Sequence, residues 1–338
     1  MKPTPVSVVI PCYNQGAYLD EAVASVARQT HSAVGCIVVD DGSTESATVR
    51  TLDRLGASGI RILRQPNGGL SNARNAGVLA TDTPFFVPLD ADDILEPRFI
   101  ERLLPPLLAD PTLGYVYCHV RTFGASEHVW PCRPYDSQRL LFENLSAATA
   151  VVRREAFDCA GGYQPDMVHG FEDWDFWIAL LATGYRGKCV AEPLFLYRKH
   201  AGGTSMLDKT QAHRDEMIRR IIVHHRNLMA SMLGLTGPDE EAIYQTLRAL
   251  ARLDDLENMV SWRVLKRLRF YRPCRALRRI IGGRQADAGT ASSDPRERLA
   301  AIERSGIYRI LRAFKRSALY NRYARLRYGP DFVNPFLD

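Results

Sequence analysis

Asp90, Asp92 and Asp93 place three carboxylates within four residues, directly after the apolar run Phe85 to Leu89. Adjacent carboxylates in a partly dry site repel, so either one stays protonated or a cation lies among them. An oxygen-only cluster favours a hard ion such as Mg²⁺ or Mn²⁺. The spacing lacks the glycine and the distal glutamate of a calcium loop, and a magnesium-type ion shared with substrate phosphates suits it better. A competing reading has Asp92 or Asp93 capping a helix that begins near Pro97, with Asp90 facing water.

Four further clusters carry chemistry, each with a structural alternative. Asp40-Asp41-Gly42-Ser43 offers carboxylates to a base N–H or a ribose hydroxyl; it also reads as a turn former and N-cap. In NGGLSNARNAG (67–77), Gly68 and Gly69 relax a turn, Ser71 caps a helix, and the helix start suits phosphate oxygens. Arg74, one turn in, reaches a phosphate or base, or is a solvated surface arginine. In HGFEDWDFW (169–177), Glu172, Asp173 and Asp175 precede an apolar helix on which Trp174 and Trp177 share a face. One carboxylate there can act as a general base, with a sugar ring stacked on an indole. Alternatively the acids complement a helix N-terminus and the tryptophans are core. His200, in FLYRKHAGGTS (195–205), follows a strand and can bind a metal or meet a phosphate, or is a surface residue.

The elements that must position these residues alternate. Strands are predicted over 6–11, 36–40, 60–63 and 84–89, with helices over 18–28, after the turn at 43, over 67–80 and over 97–109. This rhythm predicts an α/β fold with a mostly parallel sheet covered on both faces. Such sheets bind ligands at the carboxyl ends of their strands, which is where Cys12-Tyr13-Asn14, Asp40-Asp41 and Asp90 to Asp93 fall. Residues 121–205 are less regular and aromatic-rich, with a strand pair predicted through Lys188–Tyr197. Beyond 209 helical patterns dominate, broken by a Gly/Ala/Ser-rich linker at 282–295. Two domains are predicted, 1–208 and 209–338.

The bulk properties narrow the classes. The chain has 338 residues, 46% hydrophobic and 24% charged, as in ordinary globular proteins. Its apolar runs are too short to span a bilayer, and the N-terminal run reads as a strand rather than a signal peptide. Seven scattered cysteines without a C-x-x-C pair predict reduced thiols and a cytoplasmic chain rather than a disulfide or zinc framework. Net charge is +6, but residues 262–284 and 304–328 hold nine and eight Lys/Arg and no acid, leaving −11 on the remainder. The basic segments interleave Leu265, Leu268, Leu277, Ile280 and Ile281 with arginines. They suit an anionic membrane surface, making the chain peripheral on the cytoplasmic face, or they pack on the acidic body. Charge alone would also suit nucleic acid, but no nucleic-acid module is recognisable.

Taken in order, VSVVIPCYN, VVDDGS, NGGLSNARNAG, PLDADD, GGY, GFEDWDFW and LYRKHAGGTS resemble the family-2 inverting glycosyltransferases of the GT-A fold, over residues 6 to 205. The resemblance implies a nucleotide-diphospho-sugar donor, a divalent cation (Mn²⁺ or Mg²⁺) and a glycan, lipid-linked or other hydroxyl acceptor in cell-surface glycan or glycolipid synthesis. It implies that Pro11, Tyr13, Asn14, Asp40, Asp41, Arg74 and Asp90 serve the donor nucleotide, and that Asp92, with Asp90 and His200, holds the metal. Asp173, of the Glu172-Asp173 pair, would be the general base, with Trp174 and Gly162 on the acceptor side. Cys12 departs from the threonine or small polar residue of many relatives. Two alternatives stand beside this reading. One is a sugar nucleotidyltransferase, which PCYNQGAYLD disfavours because it lacks a glycine-rich basic loop; the other is an inactive nucleotide-sugar-binding relative.

Overall fold

The computed structural model describes residues 3–200, 212–258, 293–304 and 308. In chain order the elements are β1 (Val6–Cys12), α1 (Gly16–Ala27), β2 (Val34–Asp40), α2 (Ser46–Ala57), β3 (Arg61–Arg64), α3 (Leu70–Leu79), β4 (Phe85–Pro88), β5 (Ile94–Leu95) and α4 (Phe99–Ala109). There follow β6 (Leu113–Gly124), β7 (Val129–Trp130), α5 (Ser137–Leu140), β8 (Val151–Arg153), α6 (Arg154–Ala160), α7 (Glu172–Ala182) and β9 (Arg186–Lys199). Three helices complete the described residues: α8 (Arg214–Met232), α9 (Glu240–Asn258) and α10 (Pro295–Arg304).

The first four strands pair in parallel in the order β3-β2-β1-β4. All seven residues of β1 are buried, which is why its sequence is almost continuously apolar: a central parallel strand has no solvent face. Side chains alternate between the two faces. Val8, Ile10 and Val38 join the cluster containing Leu19, Ala22 and Val23 of α1. On the other face, a Cβ on Gly77 of α3 would come within 2.3 Å of Val9 Cγ1 and 2.8 Å of Val39 Cγ2. Only glycine lets α3 lie this close to the sheet, and that closeness fixes where its N-terminal turn points.

The register carries the chemistry-bearing ends to one side. Cys12 pairs with Asp40, and Pro88 pairs with Val9 in the same parallel direction, so the carboxyl ends of β1, β2 and β4 lie on one side of the sheet. The sheet then changes character. Antiparallel β8 joins β4, β6 joins β8, and β9 runs parallel to β6 and antiparallel to β5. The parallel part predicted from the βα rhythm is thus the first half of a mixed nine-stranded sheet.

Lys188–Tyr197 is not a strand pair. It lies within the single 14-residue strand β9, whose pairing with β6 shifts from Cys118–Val190 to His119–Pro193. A bulge absorbs Ala191 and Glu192 without reversing the chain. The chain divides into two compact units, Met1–Glu240 and Glu241–Asp338. The boundary expected at 208 falls inside the first unit, because α8 packs on α7. In the second unit α9 and α10 are described, and Arg252 donates to the Tyr308 hydroxyl at 3.1 Å. The basic segment 262–284, nearly all of 304–328 and most of the linker lie outside the described residues. Among the described residues no helix is long and apolar enough to cross a membrane.

Candidate active site

At the ends of β1 and β2, polar side chains fasten loops. Asn14 has φ 54°, a left-handed backbone uncommon for a non-glycine residue. Its Oδ1 accepts from Thr44 N and Glu45 N at 2.9 and 3.0 Å, and its own N–H donates to Ser43 Oγ at 3.2 Å. Asp40 Oδ1 accepts from Ser43 N at 2.9 Å. Pro11 is buried in β1, while Tyr13 beside it is 46% exposed.

Asp41 departs from its expected role. Its carboxylate accepts from Gln65 Nε2 at 2.7 Å and from the backbone N–H groups of Gly68 and Gly69 at 2.9 Å each. A protein carboxylate therefore occupies these donors of the glycine turn, where the sequence suggested a phosphate. Nor does Ser71 cap the helix: Gly69, with φ 85°, is the N-cap, and Ser71 Oγ is buried without a hydrogen-bond partner.

Arg74 links three segments. It is 1% exposed; Nη2 donates to Asp90 Oδ1 at 2.7 Å and Nη1 to Glu172 Oε1 at 2.5 Å, and the guanidinium lies 5.5 Å from the Tyr163 ring centre. Burial opposes its charge, but the two carboxylates hold it firmly protonated. This is not a solvated surface arginine. It draws the β4 end and the start of α7 to one place.

The Asp90–Asp93 cluster divides its labour. Asp93 is buried and accepts from Arg198 N at 2.8 Å, while Arg198 Nε donates to the Asp92 carbonyl at 2.8 Å. These bonds fasten the end of β9 against the β4–β5 turn. They bring His200 Nε2 to 2.7 Å from Asp92 Oδ2. Burial, and after it the neighbouring Asp90 charge, raises the Asp92 pKa despite the His200 contact. Burial, followed by Asp92 and Asp90, raises Asp93 well above the carboxylate range. Neither caps α4, whose N-cap is Arg98 with no side-chain bond.

The start of α7 supplies the remaining acids. Phe171, its N-cap, has φ 62° and follows Gly170 at φ 98°. Phe171 and Asn14 are the two non-glycine residues with positive φ among those described; Phe171 directly precedes Glu172 and Asp173, and Asn14 fastens the Ser43–Glu45 loop, and such strain gathers at functional sites. Glu172 is consumed by Arg74. Asp173 Oδ1 accepts from Trp174 N at 2.7 Å and Oδ2 from Asn144 Nδ2 at 3.1 Å. Burial first, then the Glu172 charge, push the Asp173 carboxyl up to about 7; Arg74, Asn144 and the Trp174 N–H pull the other way.

The two expected acceptor residues have structural roles. Trp174 is 2% exposed and its Nε1 donates to the Leu140 carbonyl at 2.7 Å, so it is core and not a sugar-stacking surface. Trp177 is buried too, stacked on Tyr115 with ring centres 4.1 Å apart. Gly162, φ 79°, is required by close approach: a Cβ would sit 2.7 Å from Asn75 Oδ1, the atom that accepts from Tyr163 N.

Residues 7–165 match the description Glycosyl transferase family 2. The chain carries a glycosyl transferase family 2 domain. Chondroitin synthase of Pasteurella multocida is 28% identical over 187 residues, 53% of this chain and 19% of that protein. The first curated relatives are matched over only 19% to 41% of their own length. Among solved structures, S. aureus TarS 1–349 in complex with UDP is 16% identical with a TM-score of 0.55, over 98% of this chain and 95% of that one. The mannosyltransferase PcManGT from Pyrobaculum calidifontis, in complex with GDP-Man and Mn²⁺, is 18% identical with a TM-score of 0.50, over 90% and 89%. These likenesses show the shared GT-A fold.

Three residues of the glycosyltransferase domain's site escaped sequence reasoning. Asn144 touches Asp173, Asn75 fixes the backbone of Tyr163, and Arg198 carries His200 to Asp92. Asn75 and Arg198 lie within the motifs at 67–77 and 195–205, but each of the three has its partner 29 to 106 positions away, and that pairing is what the sequence does not mark.

Proposed function

We propose that this chain is an inverting glycosyltransferase that moves a sugar from a nucleoside-diphospho-sugar to a hydroxyl acceptor, with Asp173 as general base. The observation that carries the reading is Asp173 itself. It is oriented by two hydrogen bonds beside the Arg74–Glu172–Asp90 network and has a carboxyl pKa near 7. A base is most effective when its pKa lies near the working pH. The family-2 domain and the nucleotide-bound neighbours of the same fold support the donor class.

In this reading the acceptor oxygen attacks the anomeric carbon from the face opposite the leaving group. The new C–O bond forms as the bond to the phosphate oxygen breaks. The acceptor proton passes to Asp173, the nucleoside diphosphate departs, and the anomeric configuration inverts. Asp40 and Tyr13 meet the nucleoside. Asn14 and Asp41 act on the same pocket through the loops they fasten. Glu172 and Asp90 hold Arg74, whose charge steadies the acid cluster.

The donor set at Asp92 fits a divalent cation. Asp92 lies 2.7 Å from the His200 imidazole, and the nearby Asp90 charge, after burial, raises the Asp92 pKa, so added positive charge here would be favourable. Asp92, His200 and Asp90 would hold Mn²⁺ or Mg²⁺, whose charge would offset that developing on the leaving diphosphate. The acceptor belongs to a cell-surface glycan or glycolipid, and the basic segment 262–328 brings the chain to an anionic cytoplasmic membrane face. Charge composition supports this part. Flotation with anionic vesicles at low salt, lost at high salt, is the expected result; no binding at low salt removes it.

The decisive experiment screens nucleotide sugars by thermal shift with and without Mn²⁺. It then follows nucleoside diphosphate release with the stabilising donor. Release only when donor and acceptor are both present is expected, with an inverted product. Normal turnover by Asp173→Asn would remove Asp173 from the role.

A further inference from the structure

Where α8 packs on α7, the contact includes a buried polar cluster that the proposed reaction does not use. Asp175 lies on α7 two residues beyond Asp173, and its side chain is 0% exposed. Its Oδ1 faces two imidazole nitrogens, His224 Nδ1 at 2.8 Å and His225 Nε2 at 3.0 Å. Its Oδ2 is buried with no hydrogen-bond partner.

Neighbouring residues on a regular helix diverge by about 100°, so two consecutive histidines do not ordinarily reach one atom. Here His225 leaves the helical region, with φ −120° and ψ 18°, and the kink lets both rings converge. The second nitrogen of His224, Nε2, lies 3.2 Å from Asp166 Oδ2.

A plain ion triad explains this arrangement poorly. It crowds two donors onto one carboxylate oxygen and leaves the other orphaned in a buried setting, which is costly. A cation explains it better. One ligand atom from each of Asp175, His224 and His225 lies within 4.8 Å of the others. Two imidazoles and one carboxylate are a donor set for zinc and similar borderline ions, not for Mg²⁺. Asp166 stands where a metal-bound histidine's partner carboxylate belongs, orienting the ring from behind.

We propose that Asp175, His224 and His225 form a binding site for a zinc-type divalent cation, separate from the Asp92–His200 pair, that fastens α8 to α7. The cation replaces the protons shared between the imidazoles and Oδ1. The site is structural, holding the first turn of α7 against α8.

The test uses the full chain stripped with chelator, then titrated with Zn²⁺ against a chromophoric competitor. One tightly bound equivalent and a rise in melting temperature are expected, and Co²⁺ should give the visible absorption of a tetrahedral site. His225→Gln and His224→Gln should each lose this binding. Asp166→Asn, at a 47% exposed side chain where folding is safe, should weaken it by about 10–100-fold. His213→Gln, in the separate exposed His169–His213–Glu216 group, and Asp92→Asn should leave it unchanged. No uptake by the wild type overturns the proposal. So does binding that survives both histidine variants, or binding lost with His213→Gln or Asp92→Asn. None of these readouts involves sugar transfer, so this site and the proposed reaction fail independently.

Discussion

The acids at the end of β2 and the acids at the end of β4 and the start of α7 belong to the same residue types in the same fold, yet they do different things. Asp41 is saturated by its own chain: Gln65, Gly68 and Gly69 all donate to it. Asp92 and Asp173 are left under-compensated, and burial raises both. The first arrangement stabilises a loop. The second stores an unfavourable charge that a cation, a substrate or a proton can relieve. What distinguishes the architectural acid from the reactive one is the balance of donors against burial: three donors reach Asp41, two of them backbone N–H groups, whereas Asp173 has one backbone N–H and one side-chain amide against its burial.

The sharpest break in this comparison comes from Asp173→Asn. Removing a general base costs about 10²–10⁴-fold in rate, and donor-induced thermal shifts should persist because the amide keeps the shape. Stability should move the other way. The folded carboxyl titrates near 7 against an ordinary 3.8, so the folded state binds the proton more tightly than the unfolded one. Stability therefore falls as pH rises from about 4 to about 7, and the loss is complete above the folded pKa. Asp173→Asn should raise the melting temperature at about pH 8 and make little difference at about pH 4. The wild-type transfer rate should rise through about pH 7. Equal melting curves for both proteins across this range would place Asp173 among the satisfied acids.

Arg74→Met comes next. It leaves Glu172 and Asp90 without their shared cation in a buried setting, a loss of about 3–5 kcal/mol by denaturant unfolding. Asp41→Asn should follow at about 2 kcal/mol, from weakened charge-assisted bonds to Gly68 and Gly69. Donor affinity should fall no further than the loosened loop requires. A large loss of donor binding at unchanged stability would return Asp41 to the ligand-contacting role that the sequence suggested.

The comparison also explains what was legible in the sequence. Runs such as VSVVIP and CIVVD announce buried parallel strands because both their faces are apolar, and β1, β2 and β4 stand where those runs predict. The long strand β9 was legible only as a pair, since Glu192-Pro193 reads as a turn until β6 shows that a bulge can absorb it. Of the residues singled out by motif order, Arg74 meets Asp90 and Glu172, and His200 meets Asp92. Motif order could not say that Asp41 was already satisfied, because two of its three donors are backbone N–H groups supplied 27 and 28 residues away. Backbone donors leave no mark in a sequence. The Asp175 cluster was hidden for a related reason: the convergence of His224 and His225 depends on a kink.

Trp174→Phe offers the smallest effect and the finest discrimination. The indole is buried, and its single polar atom is engaged by the Leu140 carbonyl. Phenylalanine keeps most of the apolar contact but strands that carbonyl, at about 1 kcal/mol. The acceptor KM should not change, because a 2% exposed ring offers no face to a sugar. An acceptor KM raised severalfold without a drop in stability would mean that the indole meets the acceptor after all. The cleft would then have to open between Leu140 and α7 during turnover, and the boundary between architectural and reactive residues would have to be redrawn there.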